Sequence, residues 1–203
     1  MIYLSGTYSK ALLPLLDTGR YGLLAQPKVK LRHRVGNPIW AVDNGCFTDP
    51  DSFDAERFIS WLSSCDLSRC LFATAPDLLA NSAETLRRAM PVLPRIQQLG
   101  IRAALVAQNG LVVSDTPWSA LDALFVGGTT EWKFSQQAAD LTWAAKDMGK
   151  WVHVGRINSE KGVNRAHRLG ADSVDGNFLR FSPDANVKRL ERWFRQQKLE
   201  LRA

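Results

Sequence analysis

Six short polar runs hold most of the residues able to do chemistry, and each directly follows an apolar run. Asp43-Asn44-Gly45-Cys46-Phe47 follows Ala41-Val42, Ala75-Pro76-Asp77 follows Phe72-Ala73-Thr74, and Gln108-Asn109-Gly110 follows Leu105-Val106-Ala107. Gly127-Gly128-Thr129-Thr130-Glu131 follows Phe125-Val126, Gly155-Arg156-Ile157-Asn158 follows Val152-His153-Val154, and Asp175-Gly176-Asn177-Phe178 follows Ser173-Val174. Carboxylates in such places can serve as nucleophiles or as general acids and bases. The glycines beside them let the backbone approach a ligand closely. One such run is an ordinary turn. A succession of them describes the rim of a pocket lined by carboxylates and amides.

The apolar runs are the elements that must position these groups. Eight read as strands: Ile2–Leu4, Tyr21–Ala25, Ile39–Val42, Leu71–Thr74, Ala103–Ala107, Leu124–Val126, Trp151–Val154 and Ser173–Val174. Most are continuous in Val, Leu, Ile and Ala, as in parallel strands buried on both faces. Helical periodicity fills the gaps over Asp54–Leu62, Ala83–Leu99, Phe134–Met148, Ser159–Leu169 and Asp184–Gln197. Asn81 or Ser82 caps the second of these and Asn158 the fourth, while Gly100, Gly149 and Gly170 end helices. Pro91 and Pro94 predict a kink or two shorter helices. The first third offers only the short Leu12–Asp17 segment and a basic loop over Lys28–Pro38. This alternation predicts a compact (β/α)8 TIM-like barrel with some helices short or missing, ahead of an open doubly wound sheet. In such a fold the strand C-termini carry the active face. Asp175 then belongs at that face and Asp172, entering the same strand, at the opposite end with a structural task.

The chain has 203 residues, which fits a single domain spanning 1–203. A chain of this size buries roughly 70% of its unfolded surface and needs no disulfide staples. Its charged fraction of 23% and its lack of polar low-complexity runs argue against disorder. No stretch approaches the ~18 apolar residues of a membrane span. The start Met1-Ile2-Tyr3-Leu4-Ser5-Gly6 has no signal-peptide pattern, so a cytoplasmic protein is expected. The three cysteines, Cys46, Cys65 and Cys70, lack Cys-x-x-Cys spacing, so neither a disulfide framework nor a zinc site is expected. The net charge is +6, and from Lys150 to Ala203 there are 12 Lys and Arg against 6 Asp and Glu, which accounts for the surplus. A polyanionic partner is therefore permitted.

The strand ends between Trp40 and Leu179 resemble those of the tRNA-guanine transglycosylase family. Asp43-Asn44-Gly45-Cys46-Phe47 is similar to the family's Asp-Ser-Gly-Gly-Phe, whose Asp is the general acid/base. Asp77 falls where the family has a second base-recognising Asp. Val106-Ala107-Gln108-Asn109-Gly110 resembles its Val-Gln-Gly-Gly, whose Gln reads the purine, and Gly127-Gly128 its pocket-lining Gly-Gly. Asp175, after Gly170-Ala171-Asp172-Ser173-Val174, matches the nucleophilic Asp, although Gly176 stands where the family usually has Cys. The family's zinc subdomain, three Cys and one His, has no counterpart. The resemblance is therefore closest in character to the family's DNA-acting relatives of phages and bacteria, which place 7-deazaguanines in DNA. It implies a (β/α)8 barrel that replaces guanine by a 7-deazaguanine base in DNA, with tRNA a weaker candidate. No metal or other cofactor is expected.

On that basis Asp175 is expected to attack C1′ of the target nucleoside, giving a covalent glycosyl-enzyme. Asp43 is expected to pass a proton to the leaving purine. Asp77, Gln108, Gly127 and the Gly128 amide would read the guanine-like edge, with Cys46 and Phe47 lining the pocket. Glu131 would contact an amine on the incoming base. The target base must leave its stack to enter such a site. Two basic groups, Arg156, Lys161, Arg165 and Arg168, then Lys188, Arg189, Arg192 and Arg195, would meet the DNA backbone or be a solvated helix face. Lys28, Lys30, Arg32, His33 and Arg34 offer a third. His153 is expected to pack in the core or line the pocket rather than bind metal. Trp132 is expected in the core, with stacking on a base as its other option. Two further functions stay open: a metal-dependent barrel hydrolase or lyase using Asp43, Asp77, His153 and Asp175, and a non-catalytic nucleic-acid-binding module. The sequence leaves the oligomeric state open, a homodimer among the options.

Overall fold

The computed structural model describes residues 1–7, 10–27 and 38–200, the last four of these by their backbone. Eight parallel strands run in chain order around a closed barrel: β1 (Ile2–Ser5), β2 (Tyr21–Ala25), β3 (Trp40–Val42), β4 (Cys70–Thr74), β5 (Ala103–Ala107), β6 (Ala123–Val126), β7 (Trp151–Val154) and β8 (Ser173–Gly176). β8 closes the ring on β1, with Tyr3 opposite Val174 and Leu4 opposite Asp175. The expected TIM-like barrel is thus the observed one.

Among the described residues seven helices cover its outside: α1 (Leu13–Leu16), α2 (Ala55–Ser63), α3 (Ser82–Ala89), α4 (Leu93–Gln97), α5 (Gln136–Asp147), α6 (Glu160–Arg168) and α7 (Pro183–Glu200). The economy of length lies in three connections. α1 is a single turn, the described part of the β2–β3 connection holds no helix, and β5–β6 is joined through two 3-10 turns, Val113–Asp115 and Trp118–Ala120. The stretch 83–99 divides into α3 and α4, because Pro91 and Pro94 cannot supply N–H donors to one continuous helix. Asn81 caps α3, its side chain accepting from Glu84 N at 3.0 Å. The cap of α6 is Ser159 rather than Asn158: its Oγ accepts from Gly162 N at 3.2 Å. The basic loop expected over 28–38 lies outside the described residues, apart from Pro38.

The strands bury two faces against two different cores. The outer layer, between strands and helices, is the larger and is almost wholly aliphatic and aromatic, with Tyr21, Leu62, Leu105, Leu141 and Phe194 among its members. The inner core holds Leu4, Ala41, Phe72, Ala104, Val106, Ala123 and Phe125. Because side chains alternate along a strand, the inward column of β7 is Trp151 and His153, and that of β8 is Ser173 and Asp175. Asp172, at the start of β8, has the structural task expected of it. Its carboxylate accepts from Lys146 Nζ at 2.8 Å and from Val152 N at 2.8 Å, tying α5 to the bottom of the barrel. No helix among the described residues is long and apolar enough to cross a membrane.

Candidate functional site

One cavity of about 430 Å³ opens at the C-terminal ends of the strands, and its lining includes Asp43, Asp77, Gln108, Gly127, Arg156 and Asp175. Five of the six polar strand ends therefore contribute a polar side chain to one space, as the barrel geometry requires. The sixth, after β6, contributes the backbone of Gly127. A side chain there would meet Val106 at 2.8 Å and the Gln108 amide at 3.0 Å, so glycine is what leaves the space open.

The wall built by β3 to β6 is a closed hydrogen-bond network. Asp77 accepts from Asn44 Nδ2 at 3.0 Å on one oxygen and from Gln108 Nε2 at 2.6 Å on the other. Asn44 is itself fixed by Ala75 O at 2.7 Å and by Cys46 N at 2.7 Å. Gln108 Oε1 accepts from Ala80 N at 2.9 Å and from Gly128 N at 3.0 Å. One expectation is corrected by these bonds. The Gly128 amide is committed to Gln108 and does not face a ligand, and Gln108 has no acceptor capacity left for a purine (two lone pairs, both taken). Gln108 keeps one N–H, and Asp77 keeps the remaining lone pairs of its carboxylate. Burial pushes the Asp77 carboxyl above the usual range, against the donors Asn44 and Gln108 and the charge of Arg156.

Gly128 sits at φ +61°, where a Cβ would lie 2.3 Å from the Trp132 ring. Trp132 is accordingly buried, with its indole N–H donating to Gln137 Oε1 at 2.7 Å, and it takes the packing role. Glu131 is exposed and outside the cavity lining, so its expected contact with a base is not formed by this arrangement. Cys46 is buried and also outside the lining, and burial pushes its thiol up to about 11, which disfavours a thiolate. Phe47, by contrast, is 57% exposed, lines the cavity and lies under the Arg156 guanidinium at 4.9 Å. Arg156 also donates to Gly128 O, and its backbone sits at φ +59°.

The same cavity is lined by two candidate reacting carboxylates, Asp43 in the turn after β3 and Asp175 in β8. Asp43 Oδ1 accepts from Gly45 N at 2.6 Å, in a tight turn that Gly45 allows at φ +81°. Burial pushes its carboxyl up to about 6, and the charges of Asp175 and Asp77 push the same way. Asp175 lies within β8 rather than after it, since the strand runs on to Gly176. Its Oδ1 meets His153 Nε2 at 2.9 Å and Arg156 N at 3.2 Å. Gly155 makes room for this approach, for a Cβ there would stand 2.6 Å from Phe125 and 3.4 Å from Asp175 Oδ1.

Three residues of the site, Asn44, Arg180 and Lys133, escape a reading of the sequence. Asn44 is visible there only as the second letter of a turn. Arg180 lines the cavity mouth from the 3-10 turn Phe178–Arg180, beyond the last strand end. Lys133 is 1% exposed and donates to Gly155 O at 2.5 Å, bracing the turn that carries Arg156. Burial and the neighbouring Arg156 bring its ammonium down to about 8. Nothing in a lysine three residues before a helix signals such burial.

The basic residues of the two last helices are exposed: Lys161, Arg165 and Arg168 on α6, and Lys188, Arg189, Arg192 and Arg195 on α7. The two helices pack side by side, so these cations share one flank of the barrel. None is ion-paired with a described acidic residue, although Arg165 stacks on Phe134 at 5.1 Å and Arg189 reaches Asn186 at 3.2 Å. Among the described residues no group of three or more His, Cys, Asp and Glu is gathered as metal ligands would be. Asp43, Asp77 and Asp175 line the cavity, with His153 buried behind Asp175, without forming such a cluster. Comparison with models of known protein families gave no match, and comparison with curated protein sequences gave none.

Proposed function

We propose that this protein is a base-exchange enzyme of the transglycosylase kind, replacing guanine in DNA by a 7-deazaguanine base. The observation that carries the proposal is that Asp43, Asp77, Gln108 and Asp175 line one cavity of about 430 Å³. That volume is in the range of small-molecule sites, about 300–1,000 Å³, and accommodates a flipped nucleoside. A buried carboxylate such as Asp77 suits a purine edge bearing adjacent N–H donors, since it can only accept from them.

In the first half-reaction, Asp175 attacks C1′ as the C1′–N9 bond breaks, and the bonding electrons leave with the purine. The proton of Asp43 passes to the departing base. In the second, the incoming deazaguanine gives its N9 proton to Asp43 and N9 attacks C1′, releasing the Asp175 carboxylate. Both halves pass through an oxocarbenium-like state that the carboxylate charge stabilises. The elevated carboxyl of Asp43 suits this exchange, because a group near pH 6 holds and yields a proton at physiological pH. Arg156 and Arg180 at the mouth, with the cationic flank of α6 and α7, would take the phosphates on either side of the flipped nucleotide. A DNA partner and a phage or bacterial setting belong to this proposal.

The test is direct. The protein is incubated with guanine-containing DNA and an isotope-labelled 7-deazaguanine, and the nucleosides are analysed by mass spectrometry. Label in the deoxynucleoside pool is the expected result, abolished in Asp175→Asn. Absence of label from the DNA would overturn the function, and undiminished exchange by Asp175→Asn would overturn the nucleophile.

A further inference from the structure

The barrel interior contains a file of four hydrogen-bonded side chains that runs from its floor to the candidate nucleophile. Trp151 Nε1 lies 2.9 Å from Ser173 Oγ, Ser173 Oγ lies 2.8 Å from His153 Nδ1, and His153 Nε2 lies 2.9 Å from Asp175 Oδ1. The register makes this possible: His153 and Ser173 are direct neighbours across β7 and β8, and the inward faces of both strands alternate in step. His153 is 0% exposed and packs against both Phe72 and Phe125, with ring centroids 5.1 Å and 4.5 Å away. The rings fix its plane, and the hydrogen bonds fix its ends.

The directions of these bonds follow from donor and acceptor counting. The indole of Trp151 can only donate, so Ser173 Oγ is its acceptor. The Ser173 hydroxyl keeps one proton, and the partner within reach among the described residues is His153 Nδ1. Nδ1 is therefore the acceptor nitrogen, and the imidazole carries its proton on Nε2, pointing at Asp175. Every proton in the file is used once, and the neutral imidazole satisfies all of it. Besides Asp175, the charged groups around this end of the file are Asp43 from the β3 turn, Arg156 from the β7 end and Lys133 behind Gly155.

We propose that His153 is the positioning residue of Asp175: it holds Oδ1 through Nε2–H, so that Oδ2 is the oxygen presented to the cavity. This rests on the reading of Asp175 as nucleophile. Oδ1 is doubly held, by His153 and by Arg156 N. Oδ2 has no hydrogen bond to a described residue. In the glycosyl-enzyme, Oδ1 becomes the ester carbonyl oxygen and keeps the same donor. On breakdown of the ester, the donor receives the returning carboxylate charge. No proton is moved by His153 in either step, so it acts by geometry and by the dipole of its N–H.

Two measurements test the proposal separately. The first needs no activity. In ¹⁵N-histidine NMR at pH 8, the His153 ring of the intact protein should show protonated Nε2 and unprotonated Nδ1. Ser173→Ala should release that state into a tautomer mixture. An Nδ1–H tautomer or an imidazolium in the unmodified protein would overturn the file. The second is single-turnover exchange into DNA. His153→Phe keeps the aromatic packing and removes the donor, and should slow exchange by about 10²-fold, the scale of a nucleophile misplaced by an ångström. DNA affinity should stay unchanged. His153→Gln, which returns an N–H near Nε2, should recover most of the rate. A folded His153→Phe exchanging at the original rate would overturn the positioning role. Should His153→Phe not fold, His153→Gln at less than a tenth of the original rate would overturn it. If the unmodified protein exchanges no base at all, the base-exchange reading fails and the positioning role falls with it, while the NMR result still decides whether the file exists.

Discussion

The carboxylates of the cavity stand in two settings that solve opposite problems with the same residue type. On the β3–β6 wall, the Asp77 carboxylate is surrounded by donors that are themselves held: Asn44 by Ala75 O and Cys46 N, and Gln108 by the amides of Ala80 and Gly128. The two candidate reacting acids are held differently: Asp43 has the Gly45 amide and the Gln26 side chain, and Asp175 has His153 and Arg156 N, both on Oδ1. The first setting resembles a lattice whose shape cannot vary without stranding a buried polar atom. The second setting leaves Oδ2 of Asp175 without a hydrogen bond to a described residue, and among those residues it holds Asp43 through the Gly45 amide and the Gln26 side chain alone. A recognition surface gains from rigidity, whereas a reacting group must be able to change partner. The contrast separates the carboxylates suited to covalent and proton chemistry from the one suited to reading a ligand's outline.

Asp43→Asn strains this contrast most. The Asn side-chain oxygen can still accept from Gly45 N, so the turn should persist, but no proton can be delivered to a leaving purine. Exchange should fall by about 10²–10⁴-fold, the usual worth of a general acid. Stability should move the other way. The Asp43 carboxyl is raised from 3.8 to about 6 in the fold, so the folded protein binds a proton more readily than the unfolded chain. Stability is then lost as pH rises between those values and stays lost above them. Removing the ionisable group should return on the order of 2 kcal/mol at pH 7.5 and flatten the pH dependence in that window. Chemical denaturation at pH 4 and pH 7.5 checks the sign. In the same variant, the fall in kcat/KM with rising pH near 6 should vanish. A less stable Asp43→Asn would place Asp43 in the satisfied setting.

How much of this contrast is legible in the sequence depends on the range of the interactions. The strands are legible because each is a continuous apolar run, and the boundaries of Tyr21–Ala25, Ala103–Ala107 and Trp151–Val154 coincide with the predicted ones. Closure of eight such strands then brings Asp43, Asp77, Gln108 and Asp175 to one face, since position along a parallel strand fixes the end at which a residue emerges. The hydrogen-bond assignments are not legible. That Gly128 N serves Gln108 depends on β5–β6 geometry, and that His153 meets Ser173 and Asp175 depends on the β7–β8 register. A single sequence states the alternation along each strand but not the stagger between strands. Lys133 and Arg180 escape for a related reason: each lies in a 3-10 turn, where no periodicity tells which way a side chain points. The family resemblance suggests a purine-reading Gln and a pocket-lining Gly-Gly. The structure keeps Gly127 in the cavity lining and makes Gln108 and Gly128 parts of the frame around Asp77.

The frame is probed by a smaller change. Gln108→Leu would strand the amides of Ala80 and Gly128 and remove one donor from Asp77. Leaving buried polar groups unpaired costs about 1–3 kcal/mol each, less whatever local relaxation recovers, so a loss of about 2–4 kcal/mol is expected. Urea unfolding should show a lower midpoint with an unchanged m-value. Gln108→Glu keeps an oxygen for the two amides but sets a second carboxylate against Asp77. Its stability should fall as pH rises, because like charges at that distance cannot both ionise cheaply. A Gln108→Leu protein as stable as the original, but unable to exchange bases, would make Gln108 a reader of the purine after all.

The smallest effects belong to the flank formed by α6 and α7, outside the cavity. Its cations are exposed, and single surface charges contribute little to folding. Their contribution should appear instead in the salt dependence of binding. For each phosphate-binding cation removed, the slope of log K against log salt should become shallower by about 0.9. Arg189→Ala and Arg192→Ala should each produce that change in titrations with a labelled duplex, with no change in single-turnover rate at saturating DNA. Arg87→Ala is the control. That residue lies on α3, paired with Glu84 at 2.6 Å, on another side of the barrel. An equal change of slope in the control would mean that the protein responds to net charge alone. A change confined to α7 would add to the proposed base exchange an outer surface that attracts the strand.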